Sequence, residues 1–162
     1  MTTLHATASS NVEYTLNQWL ESTLAAITLP SWMPPYTFIM LNDEIDLPTP
    51  CFSVHFIPIT TADEWQGRNA GGLSGMHSYG LMEINAWVSR GSNPDWLAQL
   101  NTMVAMVQDA LIRNPQVIIK DYLSNPASPS TTLFKINMGN MEVTPTEHDP
   151  NVDMERRRCL IR

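Results

Sequence analysis

The first 67 residues contain neither lysine nor arginine. Over that stretch Glu13, Glu21, Asp43, Glu44, Asp46, Asp63 and Glu64 are unopposed, whereas from Arg68 onward nine acids balance nine bases. The whole net charge of −7 therefore belongs to the front of the chain. Net negative charge argues against a general nucleic-acid binder, which needs basic surface to neutralise phosphates. Charge of either sign is scarce, at 15% of residues against roughly 25% in typical soluble domains. Ser, Thr, Asn and apolar groups must cover the difference, a composition suited to buried subunit contacts. Cysteine is nearly missing: Cys51 and Cys159 lie far apart in no metal-binding spacing. Both read as small apolar strand residues in a reducing compartment. No apolar run approaches the ~20 residues that span a bilayer. Residues 1–10 lack the basic and apolar regions of a signal peptide, and read as a flexible N-terminus. These absences describe a soluble protein made in the cytoplasm, without a membrane partner.

What is present fits a single domain over 1–162, long enough to bury a substantial core. Ser10-Asn11-Val12-Glu13 has the form of a capping box. Behind it Val12, Leu16, Trp19, Leu20, Thr23, Leu24 and Ile27 share one helical face, and Pro30, Pro34 and Pro35 stop the helix. Residues 36–41 read as a short buried strand, and 42–50 as an acidic loop. Over 51–60 Phe52, Val54 and Phe56 alternate with Ser53 and His55, a strand with one covered face. Pro58 marks an edge or a bulge. Residues 61–78 hold Gly67, Gly71, Gly72 and Gly75 and read as a long glycine-rich hairpin loop, a length usually tied to function or disorder. Alternation returns over 79–90, with Met82, Ile84, Ala86 and Val88 opposite Glu83 and Asn85. Asn93 then caps the clearest helix, carrying Leu97, Leu100, Val104, Val107 and Leu111, which Asn114-Pro115 terminates. Strands follow over 117–123, 131–144 and 154–162. Gly139-Asn140 shifts the parity of the middle one, as a bulge or tight turn does. The expected fold is α+β, a mainly antiparallel sheet covered by two helices in the order α-β-β-β-α-β-β-β.

Candidate chemistry is thin. Cys51 and His55 point the same way on a strand but stand ~13 Å apart at ~3.3 Å per residue, too far to share an ion held at ~2 Å. His148-Asp149 leads into ordinary turn chemistry at Asp149-Pro150-Asn151. Gly71-Gly72-Leu73-Ser74-Gly75 lacks the lysine and following helix of a phosphate loop. Ser74 has no convincing general base. Met82, Met103, Met106, Met138 and Met141 fit core filling better than an adaptable binding surface. The reading is of a protein with no catalytic residues, cofactor or metal.

Two features resist the bland explanation. Arg156 and Arg158 fall on one face of the last strand and Arg157 on the other, either as an edge blunted by charge or as a basic contact for an acidic neighbour. Asp63-Glu64-Trp65-Gln66-Gly67-Arg68 sets a tryptophan in a polar tip, as a local staple or as an interface anchor.

The element order, the hairpin with its long tip and the stretch Gly80-Leu81-Met82-Glu83-Ile84-Asn85-Ala86-Trp87-Val88 resemble tail-terminator proteins of long-tailed bacteriophages. So does the return to strand after the second helix, ending in the Arg-rich segment. The resemblance spans nearly the whole chain and rests on pattern, not on a diagnostic motif. It implies a structural virion protein, assembled in the host cytoplasm and located at the tail and neck. It implies a homo-oligomeric ring, usually hexameric, that caps the tail tube, ends its polymerisation and joins the head. Its partners would be the tail tube protein and a head-completion or connector protein, with DNA only passing through the lumen. The tip from Asp63 would contact the tube or line its mouth. Such a ring needs two unlike patches on each subunit. Segregated charge supplies them, with Arg156, Arg157 and Arg158 expected to meet Asp43, Glu44 and Asp46 of a neighbour. Another neck component is the nearest alternative; a small hydrolase or a ligand-binding module is a distant one.

Overall fold

A computed structural model of the chain describes residues 9–39, 48–60, 78–122, 124–151 and 153–162. Helix α1 spans Ser9–Ala25, followed by strands β1 (Thr37–Ile39), β2 (Cys51–Thr60) and β3 (Ser78–Val88). Helix α2 (Trp96–Arg113) leads to β4 (Gln116–Lys120), β5 (Thr132–Asn137), β6 (Met141–Val143), β7 (Glu147–Asp149) and β8 (Met154–Ile161). The fold is α+β, as the periodicities require, with a six-stranded main sheet and a separate two-stranded one.

In the main sheet the order is β1-β2-β3-β8-β6, and β7 pairs with β8 beside β6. Only β1 and β2 run parallel; every other pair is antiparallel. The β2–β3 hairpin pairs without a break from Cys51↔Trp87 to Thr60↔Ser78, so Pro58 introduces no bulge. Beyond Ser53, β2 has no strand on its other side among the described residues, so the missing proline N–H leaves no ladder bond unmade. Period-two alternation then sorts the side chains. Phe52, Val54, Met82, Ile84, Ala86, Val88, Cys159 and Ile161 form one face and pack under Leu16, Leu20 and Leu24 of α1 and Leu100, Met103, Val104, Met106, Val107 and Ala110 of α2. Met82, Met103 and Met106 are buried there, as core residues. Each large buried side chain in this layer contributes about 1.5–3 kcal/mol.

Both helix starts differ from the expected caps. Ser9 and Ser10 already belong to α1, so the helix is under way at the serine read as its cap. The α-helix of α2 begins at Trp96, three residues after Asn93. Asn93 still organises the entry: its Oδ1 accepts from the Asp95 amide at 3.1 Å and its Nδ2 donates to Gln99 Oε1 at 2.9 Å. At the far end Asn114 N and Nδ2 both donate to the Ala110 carbonyl, at 3.1 and 3.0 Å, before Pro115 closes the helix.

The stretch 131–144, expected as one strand with a parity shift, is two strands in two sheets. β5 pairs with β4, while β6 joins the main sheet against β8. The switch falls at Gly139, where a Cβ would run into the carbonyl oxygen of Arg162. Glycine permits that close backbone approach. The strand β7 is a further addition to the expected order. On the small sheet Val117 and Ile119 face inward and are buried. The edge of β4 is closed by α1: the Lys120 amide donates to Thr15 Oγ1 at 3.1 Å and the Tyr122 amide to Asn11 Oδ1 at 2.8 Å. The Tyr14 and Tyr122 rings stack at 5.6 Å beside these bonds. Asn11 and Thr15 are buried for this reason, on a side of α1 that hydrophobic periodicity alone does not mark.

Candidate functional site

Among the expected contact residues, Asp43, Glu44, Asp46, Asp63, Glu64, Trp65 and Arg68 lie outside the described residues, as does the loop 61–78 apart from Ser78, the first residue of β3. The structure places Arg156, Arg157 and Arg158 on β8, between β3 and the β6/β7 edge. Local chemistry sets their surroundings. The Asn151 amide donates to Asp149 Oδ1 at 3.0 Å, and Asp153 adopts φ 52°, so the chain reverses between β7 and β8. That turn puts Glu147 directly opposite Arg156. Between Val143↔Cys159 and Glu147↔Arg156 the outer strand spends three residues, Thr144, Pro145 and Thr146, against two on β8. The extra residue is a bulge, and it brings one carboxylate within reach of two arginines.

On the face away from the helices, Arg156 Nη2 donates to Glu147 Oε2 at 3.1 Å and Arg158 Nη2 to Glu147 Oε1 at 2.7 Å. The guanidinium of Arg156 also lies over the Trp87 ring, 4.9 Å from its centroid. Trp87 is fully buried with Cys51 and Met154, and its Nε1 donates to Ser53 Oγ at 2.8 Å. Hydrogen bonds from Arg158 and then Arg156 hold the Glu147 carboxyl below the usual glutamate range. The same bond with Glu147 raises the pKa of Arg158, with a further contribution from Glu83. On this face Asn85 Oδ1, Arg156 Nε and Arg158 Nε are buried without a hydrogen-bond partner among the described residues.

Arg157 points to the helix side. Its Nη1 donates to Asn101 Oδ1 of α2 at 2.7 Å, and its Nε to the Thr144 carbonyl at 3.3 Å. The alternation expected of the three arginines is thus present, but each already has an intrachain partner. Near the start of β8, buried Glu155 lies 3.3 Å from His148 Nδ1 and 3.8 Å from Arg90 Nη1, with Arg90 above the Trp96 ring. Sequence reasoning did not mark Glu147 as a partner. The signal was available, since turn chemistry at 149–151 folds residue 147 back onto residue 156.

Sequence reasoning also passed over Lys120 and Lys135. Together with Arg162, these are the described bases whose side chains carry no ion pair or hydrogen bond among the described residues. Cys51 and Cys159 are free and buried on opposite faces of the sheet. Burial pushes their thiols up to about 12 and about 11, so neither is a ready nucleophile. His148 sits in the ion cluster just described, and among the described residues no group of three or more His, Cys, Asp or Glu is placed to hold a metal. Among them, too, no helix is long and apolar enough to cross a membrane. Comparison with known proteins finds no family model that matches the chain and no curated protein similar to it.

Proposed function

We propose that this chain is a structural subunit of a bacteriophage tail: a tail terminator that closes into a ring, caps the tail tube, ends its polymerisation and presents the surface to which the head joins. The observation that carries the reading is architectural. A long β2–β3 hairpin, a helix returning to strand and an arginine-bearing β8 set deep in the sheet agree with the layout that the resemblance implies. The arrangement leaves strands at both ends of the main sheet, β1 and the β6/β7 pair, and the chain has unlike charge at its front and back. Unlike surfaces are what head-to-tail contact between identical subunits requires. An acid-rich lumen would let DNA pass without adhering. Exposed ion pairs contribute only ~0–1 kcal/mol each, so apolar contact must supply most of the ring's stability.

The test is the mass in solution, measured by light scattering behind a sizing column, alone and with tail tube protein. A mass near six subunits and annular particles by electron microscopy are the expected result. A monomer under both conditions, at high concentration, overturns the reading.

A further inference from the structure

On β4 the residues Gln116, Ile118 and Lys120 face outward, in alternation with buried Val117 and Ile119. Across the ladder Ile118 pairs with Lys135 and Gln116 with Asn137, so both lysines of the chain stand on one face of the two-stranded sheet. Ile118 is 45% exposed between them. At one end Gln116 Nε2 donates to Asn137 Oδ1 at 3.0 Å. An exposed apolar residue bordered by polar and cationic groups has the anatomy of a contact surface: a dehydrating centre and a charged rim. Among the described residues β5 pairs only with β4, so its other edge is unpaired.

From this juxtaposition we infer that the outward face of the β4–β5 sheet, with Lys120, Lys135 and Ile118, is the basic half of the contact between copies of this chain. The occupant is a second copy, which brings the acid-rich front of its sequence. Charge complementarity decides the partner: the first 67 residues carry seven carboxylates and no base. The terminal arginines fit this role less well, because Glu147 already answers Arg156 and Arg158 and Asn101 takes Arg157. The inference rests on the ring reading and relocates its basic patch.

Lysine on an edge strand also guards against aggregation, but a charge of either sign does that job. Docking depends on the sign. The test is therefore Lys120→Glu with Lys135→Glu, beside Lys120→Arg with Lys135→Arg, with self-association followed by light scattering and folding checked by circular dichroism. The glutamate variant is expected to fold and to associate at least about tenfold more weakly, while the arginine variant matches the parent. Raising the salt should weaken the parent and spare the glutamate variant. If the glutamate protein fails to fold, Lys120→Gln with Lys135→Gln takes its place, with weaker association expected. Rings formed equally well by every variant overturn this inference and leave the ring reading standing. A parent that never self-associates, with or without tube protein, overturns both. So does a parent that stays monomeric and uses the lysines to bind a DNA oligonucleotide.

Discussion

Arg156 and Arg158 lie on a six-stranded sheet with Glu147 between them, whereas Lys120 and Lys135 stand on a two-stranded sheet and form no ion pair among the described residues. In sequence the order of interest is reversed. Three consecutive arginines look like a docking patch, and two lysines separated by a loop look like nothing. Topology makes the difference. β8 has strands on both sides, so its long side chains lie along the sheet and find partners there. Among the described residues β5 has one neighbour, and Lys135 on it forms no ion pair or side-chain hydrogen bond. A run of like charge reports local concentration only; whether that charge is available depends on what the fold brings opposite it.

The sharpest way to break the comparison is Trp87→Ala. It empties a fully buried site and removes the ring beneath Arg156. A loss of about 3–5 kcal/mol is expected in denaturant unfolding; a loss below about 1 kcal/mol would mean that the arginine face does not rest on this side chain. Glu147→Gln comes next. The side chains of Arg156, Arg158 and Glu147 are 21%, 32% and 36% exposed, so water screens much of the interaction. The expected loss is about 1 kcal/mol at neutral pH.

Because the folded-state pKa of Glu147 is depressed, its contribution is present above the ordinary glutamate range and lost as pH falls through the lowered value. Parent and variant should therefore converge in urea midpoint on acidification. A gap that stays constant down to the acid limit would count against the fork. The smallest effect belongs to Lys120→Ala with Lys135→Ala, within about 0.5 kcal/mol of the parent in thermal unfolding. A larger loss would show that the lysines hold the small sheet together.

Much of this fold was legible locally. The core faces of both helices, apart from Leu97, which is exposed, the alternation in β2, β3 and β8, and the stop at Asn114-Pro115 follow from spacing and turn chemistry. Pairing partners were not, because nothing local says which strand a segment will meet. The shift at Gly139-Asn140 was visible as a change of parity, but its cause, a passage between two sheets against the Arg162 backbone, is tertiary. Asn85 was placed on the correct side of its strand, but that side is buried at Asn85 and Trp87. The polar flank of α1, with Asn11 and Thr15 capping the edge of β4, contradicts simple amphipathicity for the same reason. Of the proposed contact surface, the arginine alternation was readable and the turn at 149–151 implied Glu147, while the lysine pair needed the register.

The position of β8 has a consequence for biogenesis. It follows every other described strand in sequence, yet it lies between β3 and the β6/β7 pair. A nascent chain that has emerged only as far as β7 therefore holds β3 with one edge bare and β6 and β7 without their template. The sheet can join only once β8 has left the ribosome, so a product truncated before β8 would expose adhesive strand edges, a ready target for chaperones or proteases.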